Sequence, residues 1–123
     1  MAQEKLPNYL RAYRKRSGLS QREMAFLLGC RSAAKISRYE RYFRRPNLET
    51  ALTYEIILNT PARELFAGTF EQAEKVARRR AHLLQIRLQR RREDPRLDRK
   101  LATLTIITRR PPDDLDYRLE PLP

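Results

Sequence analysis

Apolar residues recur every three or four positions through much of the chain, a spacing that predicts amphipathic helices. The clearest case follows Ser20, which has Glu23 three residues later, the spacing of a capping box. Met24 and Leu28 then share one apolar stripe, and Gly29 is the residue type that most readily ends a helix. The pattern therefore predicts a helix of about two turns that begins after Ser20 and ends before Gly29.

A second short helix is predicted directly after the first. Ser32 can cap its first turn, and its inward positions are Ile36 and either Tyr39 or Glu40. Its outward positions are small or basic, namely Ala33, Ala34, Lys35, Ser37 and Arg38. A face of this kind can approach another molecule closely and offer it positive charge.

Three further helices are predicted around this pair. The first spans residues 7–16, with Pro7 near its first position, and another spans residues 48–58. The helix over 48–58 is apolar nearly all round, so it must be buried on more than one side, and its remaining face is a candidate dimer contact. A short helix after Pro61 is expected to end at Gly68.

The second half of the chain predicts one long basic helix, over residues 69–92, and an accessory segment, over 93–123. The apolar stripe of the long helix is narrow, so it either pairs with a copy from another chain or packs back on its own chain. Residues 95–108 keep a helical spacing but include the β-branched run TLTIIT, which leaves both helix and strand open. From Arg109 the polar, proline-rich sequence predicts a disordered tail.

Charge narrows the class of partner. The chain of 123 residues has a formal net charge of +12. Residues 1–48 contain 12 basic and three acidic residues, and residues 69–92 contain eight basic and two acidic ones. Positive charge concentrated in two segments indicates a polyanionic partner, because a charge that served only solubility would be spread more evenly.

Other residue types exclude several function classes. The single Cys30 rules out an intramolecular disulfide, and the one His leaves no zinc-type cluster, so neither a metal nor a cofactor is expected. A nucleophile with a nearby base and a glycine-rich phosphate loop are both lacking, which argues against an enzyme. The longest apolar run, Met24 to Leu28, is too short to cross a bilayer, so we expect a cytoplasmic, nucleoid-associated protein with no membrane partner.

The order of these motifs resembles the phage-repressor and Cro family of helix-turn-helix proteins, also called the XRE type. The matching positions are Leu10, Arg11 and Arg14, then Gly18-Leu19-Ser20-Gln21, Met24-Ala25, Leu28-Gly29, Ile36-Ser37, Glu40 and Arg44-Arg45-Pro46. The resemblance covers roughly residues 6–66. It departs from the family between Gly29 and Ile36, where the chain has one residue more than the usual spacing.

The resemblance implies an all-α fold, with a compact five-helix DNA-binding domain over residues 6–68 followed by the long helix and the tail. It implies a structural pair between Arg14 and Glu40. A recognition helix over residues 32–42 would enter the major groove of double-stranded DNA. The expected base contacts are Ser32, Ala33, Ala34, Lys35, Ser37 and Arg38, and the expected phosphate contacts are Gln21, Arg31, Arg41, Arg44 and Arg45.

These expectations favour a sequence-specific transcriptional regulator that binds DNA as a homodimer. A different class stays open, an antitoxin-like or accessory protein whose DNA binding is autoregulatory. In that case the C-terminal half, through residues 69–108, would bind a partner protein.

Overall fold

The computed structural model describes residues 7–91 and 93–109. Throughout this part the secondary structure is helical and no strand occurs, which confirms the predicted all-α class. The helices are α1 (Leu10–Ser17), α2 (Gln21–Leu28), α3 (Ala33–Glu40), α4 (Leu48–Leu58), α5 (Ala62–Leu65), α6 (Ala67–Gln89) and α7 (Leu97–Thr108). The chain divides into two compact units between Glu71 and Gln72.

Local capping chemistry fixes the start of α2 and of α4. The Ser20 hydroxyl accepts a hydrogen bond from the Glu23 N–H at 3.0 Å, and the Glu23 carboxylate accepts one from the Ser20 N–H at 2.9 Å. Asn47 caps α4 by accepting a hydrogen bond from the Thr50 N–H at 2.8 Å. Each cap gives a partner to an amide that has none within its helix, so both helices begin where the sequence predicts.

The first helix begins later than predicted, at Leu10 rather than at Pro7. Asn8 explains the shift, because its side-chain oxygen accepts a hydrogen bond from the Leu10 N–H at 3.1 Å. Its amide nitrogen donates to the Tyr39 carbonyl at 2.9 Å. Asn8 therefore gives the first amide of α1 a partner and ties the segment before the helix to the end of α3.

The first unit is built around one core, to which α1 to α5 all contribute. Its buried members are Leu10, Met24, Ala25, Ile36, Tyr39, Tyr54 and Leu65. The Tyr54 ring lies edge-on to Tyr39 and to Phe66, with centroid distances of 6.3 and 6.2 Å. Edge-to-face packing aligns the positive edge of one ring with the negative face of the next. Burial in this core raises the pKa of the Tyr54 hydroxyl, because it disfavours the charged form.

The junction between α5 and α6 differs from the prediction, because Gly68 lies inside α6 rather than ending α5. The Gly68 N–H donates to the Pro7 carbonyl at 3.0 Å. A Cβ at this position would lie 2.6 Å from both Cδ and the carbonyl oxygen of Pro7. Glycine is therefore needed here for space, since it lets the backbone of α6 approach the chain ahead of α1.

The start of α5 depends on a carboxylate that the sequence did not identify. The Glu55 side chain in α4 accepts a hydrogen bond from the Ala62 N–H at 2.6 Å. Glu55 lies on α4, the helix whose sequence is apolar nearly all round. The structure gives it a polar partner at the first residue of α5.

The second unit pairs the later part of α6 with α7. Ala81 and Leu88 of α6 are buried with Leu104 of α7, and Leu97 and Leu101 pack beside them. The alternative in which the long helix packs back on its own chain therefore accounts for Ala81 and Leu88. Pairing with a second copy stays a prediction for the rest of the stripe.

Residues 97–108 are helical, which settles the choice between helix and strand. The hydroxyls of Thr103, Thr105 and Thr108 donate to carbonyls four residues earlier, at 2.8 to 3.0 Å. Threonine side chains satisfied in this way are compatible with a helix. The predicted tail beyond Arg109 lies outside the described residues.

Within the described residues, no helix is both long and apolar enough to span a membrane.

Candidate nucleic-acid interface

The turn between α2 and α3 is short and closely hydrogen-bonded. Gly29 adopts a φ of 74°, and its N–H donates to the Phe26 carbonyl at 3.1 Å. The Cys30 N–H donates to the Ala25 carbonyl at 2.8 Å. Ser32 is extended and occupies the N-cap position of α3 as predicted, but its hydroxyl makes no capping bond. The first amides of α3 therefore have no side-chain cap from Ser32.

The orientation of α3 is set by three buried side chains. Ile36 has no exposed surface, and Tyr39 and Glu40 are 3% and 6% exposed. At about 100° per residue, these three positions cover one side of the helix, and Ala34 and Arg38 lie on the opposite side. Both Ala34 and Arg38 are exposed, so α3 presents a small residue and a guanidinium outward.

The remaining predicted base contacts are distributed around this outward side. Lys35 and Ser37 lie on its two flanks and are half-buried, and so is Ala33, which is nearest to the core side. Ser32 is exposed ahead of the helix. The structure thus brings Ala34, Lys35, Ser37 and Arg38 onto one face, whereas Ala33 lies about 20° from Glu40 on the core side.

A buried ion pair anchors α3 to α1. Arg14 Nε lies 2.6 Å from Glu40 Oε2, and Arg14 Nη2 lies 3.1 Å from Glu40 Oε1, so the contact is bidentate. The third guanidinium nitrogen, Nη1, donates to the Leu19 carbonyl at 2.9 Å, and hydrogen bonding to Glu40 raises the pKa of Arg14. The Glu40 charge is therefore neutralised inside the domain, in the arrangement that the resemblance implies.

Gln21 belongs to the same network, which the sequence did not reveal. Its side-chain Nε2 donates to Glu40 Oε1 at 3.1 Å. The sequence predicts that Gln21 binds phosphate at the N-terminus of α2, and that contact stays a prediction. The structure adds an internal role, since Gln21 connects α2 to the carboxylate that Arg14 already binds.

The chain leaves α3 through a hydrogen-bonded C-terminal turn. The Tyr42 N–H donates to the Tyr39 carbonyl at 3.2 Å, and the Phe43 N–H donates to the Arg38 carbonyl at 2.9 Å. This pattern is a Schellman motif, whose left-handed position is usually glycine. Here that position is Tyr42, with a φ of 66°, and no glycine marks the turn in the sequence.

The basic side chains around this turn are on the surface. Arg31, Arg41, Arg44 and Arg45 are all exposed, and the Arg41 guanidinium lies 5.5 Å from the centre of the Phe43 ring. Between residues 31 and 45 the only acidic residue is Glu40, which is buried and paired. The exposed charge of this segment is therefore entirely positive, as a surface that binds a polyanion requires.

Comparison with known families agrees with this geometry. Residues 10–65 match a family described as helix-turn-helix, which is slightly less than half of the chain. No curated protein and no solved structure matches the chain significantly. The matched segment runs from the first residue of α1 to the last residue of α5 and includes the turn between α2 and α3. Residues 10–65 therefore form a domain that is similar to this helix-turn-helix family, the type that the sequence resembles.

Proposed function

We propose that the protein is a sequence-specific transcriptional regulator whose α3 lies in the major groove of double-stranded DNA. The observation that carries this proposal is the outward face of α3. It has small residues near its start and Arg38 at its centre, and the opposite side is held by the Arg14–Glu40 pair. A helix fixed in this way can be inserted into a groove without losing its orientation.

The outward face divides into groups with different tasks. Arg38 can bind guanine O6 and N7 through two nitrogens, and Lys35 and Ser37 flank it on the same helix. Ser32, Ala33 and Ala34 lie at the end of α3 that approaches the base edges. Arg31, Arg41, Arg44 and Arg45 bind phosphates from the segments before and after the helix, together with Gln21 at the start of α2.

Selection of duplexes from a random pool, at two salt concentrations, tests whether the protein reads sequence. Arg38→Ala should cost about 1 to 3 kcal/mol on the selected site and relax the preference at one base pair. Arg44→Ala should weaken all duplexes alike and reduce the salt slope by about 1. Arg63→Ala is the matched control, because Arg63 is exposed on α5, which packs chiefly against α4.

The proposal fails if the full-length protein enriches no sequence at physiological salt. The division of tasks fails separately if Arg38→Ala and Arg44→Ala give the same change on every duplex.

The proposal includes a homodimer that places two recognition helices about one turn of DNA apart. The supporting observation is an apolar stripe on α4, where Leu48 and Ile56 are 75% and 78% exposed and Leu52 is 45% exposed. Sedimentation of the full chain should show a dimer, and Ile56→Glu should convert it to a monomer with an unchanged helical spectrum. A monomeric unsubstituted protein at micromolar concentration would contradict this part.

The antitoxin-like alternative keeps a specific observation in its favour. Ile106 in α7 is 72% exposed, whereas Leu97, Leu101 and Leu104 of the same helix pack on α6. In this alternative, a partner protein would copurify with the chain, and Ile106→Arg would release it without changing the affinity for DNA. If the protein instead acts alone as a regulator, Ile106→Arg should leave its effect on gene expression unchanged. Under both alternatives we expect a fluorescently tagged chain to lie with the nucleoid.

A further inference from the structure

Three exposed basic residues of α6 lie on one side of the helix. At about 100° per residue, Lys75, Arg80 and Arg87 fall within an arc of about 140°. All three are exposed. The last helical turn continues past Gln89 through hydrogen bonds from the Arg90 and Arg91 amides, and these two exposed arginines extend the charge. We call Lys75, Arg80, Arg87, Arg90 and Arg91 the basic arc.

Part of the opposite side of α6 is already occupied. Ala81 and Leu88 are buried against α7, and the side chain of Arg78 is buried and paired with Glu74. The two acidic residues of the helix, Glu71 and Glu74, both lie outside the arc by the same angular count. The basic arc therefore carries positive charge that no acidic side chain of its own helix interrupts.

The members of the basic arc form no ion pair with other residues in the described ranges, 7–91 and 93–109. From Lys75 to Arg91 the arc extends about 24 Å along the helix axis. Such a density of exposed like charge raises the electrostatic free energy of the isolated protein, and this cost is relieved when a polyanion binds.

We propose that the basic arc is a second DNA-binding surface, which binds the phosphates of double-stranded DNA independently of sequence. A duplex presents negative charge at regular spacings of about 3.4 Å per strand, so an arc of this length can meet several phosphates. Four of its five members are arginine, whose planar guanidinium binds phosphate through two nitrogens. The proposal goes beyond the function of α3, because residues 75–91 lie outside the helix-turn-helix domain.

A membrane surface fits the basic arc less well than a duplex does. A helix that lies in a membrane interface buries its apolar face among the lipids. The large apolar residues of α6 that stay exposed, Phe70, Leu84 and Ile86, form no continuous face, because Ile86 lies about 160° round the helix from Leu84 and Phe70 lies about 21 Å along it. The apolar residues that could extend such a face, Ala81 and Leu88, are packed against α7. They could enter a bilayer only if the second unit opened, so a membrane would have to disrupt a core that DNA leaves intact.

Two triple variants of the full chain with the same net charge test the proposal. The arc variant is Lys75→Gln, Arg80→Gln and Arg87→Gln. The control variant is Arg63→Gln, Arg96→Gln and Arg99→Gln, which removes three exposed charges outside the arc. Binding to a random-sequence duplex is measured by fluorescence anisotropy over a range of salt concentrations. Circular dichroism checks that both variants keep the helical content of the unsubstituted protein.

The arc variant should lower the slope of log K against log salt by about 0.9 for each phosphate contact removed, or about 2 to 3 in all. It should bind the random duplex about tenfold or more weakly at 0.1 M salt. The control variant should change the slope by less than about 1. Equal slopes and affinities for the two variants would overturn the proposal, since the effect would then follow net charge alone.

Two other ligands separate DNA from competing occupants of the arc. Vesicles containing phosphatidylserine and a polyglutamate peptide are titrated with both variants. If the arc variant loses affinity for one of these ligands but retains its affinity for duplex DNA, the proposal is wrong. The Arg38→Ala protein separates the arc from base contacts of α3, because it should relax the preference at one base pair and still show the arc-dependent salt slope.

Discussion

Replacing Glu40 with leucine tests whether the buried ion pair holds the recognition helix. Arg14 is only 8% exposed, and the substitution leaves its guanidinium without the carboxylate that it binds. Only the bond from Nη1 to the Leu19 carbonyl would be left to it. Removing one partner of a buried pair costs about 3 to 5 kcal/mol, because the remaining charge is desolvated and uncompensated.

This loss is a large part of the roughly 5 to 15 kcal/mol that stabilises a typical domain. Glu40→Leu should therefore lower the midpoint of thermal unfolding by about 10 °C or more. Urea unfolding of the full chain, followed by far-ultraviolet circular dichroism, measures the change in the free energy of unfolding. Glu71→Leu is the control, because Glu71 is exposed, and such a change should stay within about 0.5 kcal/mol.

The double variant Arg14→Met/Glu40→Leu tests whether the loss of stability comes from the unpaired charge of Arg14. It removes both charges and fills the space with apolar side chains, so it should recover most of the stability lost by Glu40→Leu. The expected coupling between the two positions is about 2 kcal/mol or more. If the two single effects simply add, or if Glu40→Leu costs less than about 1 kcal/mol, the pair does not hold α3 as argued.

Three further predictions concern the backbone and the caps. Tyr42→Val should lower the free energy of unfolding by about 1 kcal/mol and Tyr42→Gly should not, because a β-branched residue tolerates a positive φ least. Urea unfolding of the two variants would refute this if the valine variant were as stable as the glycine variant. Gly68→Ala should destabilise the protein by about 1 to 3 kcal/mol despite the higher helix propensity of alanine, because the alanine Cβ would collide with Pro7. An unchanged or higher midpoint of thermal unfolding would contradict this. Hydrogen bonds from the Ser20 amide and hydroxyl lower the pKa of Glu23. The unsubstituted protein should therefore be more stable than Glu23→Gln above the usual glutamate pKa, and this difference should disappear as the pH falls through the lowered pKa. Parallel profiles of unfolding free energy against pH for the two proteins would refute the role of the carboxylate.

Elements whose ends depend on local chemistry could be predicted from the sequence. The bounds of α2 and α4 follow from Ser20, Glu23 and Asn47, because each cap satisfies amides within three residues of itself. The inward positions of α3 follow from the helical period in the same way. The pairing of Arg14 with Glu40 came from the resemblance rather than from the residues alone.

Features that depend on distant contacts could not be predicted in this way. The position of Gly68 is explained by Pro7, sixty-one residues earlier, and no local pattern links the two. The hydrogen bond from the Gln21 amide to Glu40 joins residues 19 positions apart, and the local pattern that predicts a phosphate contact for Gln21 does not reveal it. Tyr42 stands where a glycine would have indicated the turn. Sequence patterns locate helices well, but they do not show which side chains bind a neighbouring helix, because those contacts depend on the tertiary structure.

The two ends of the helix-turn-helix domain are joined to each other. The Tyr9 N–H donates to the Leu65 carbonyl at 2.8 Å, and the Gly68 N–H donates to the Pro7 carbonyl at 3.0 Å. A chain emerging from the ribosome cannot complete the domain until Gly68 has left the exit tunnel, so α1 must wait for the last contacts to be synthesised. The same proximity makes the domain suitable for circular permutation, with the old termini linked near Pro7 and Gly68 and new ones opened in a surface loop.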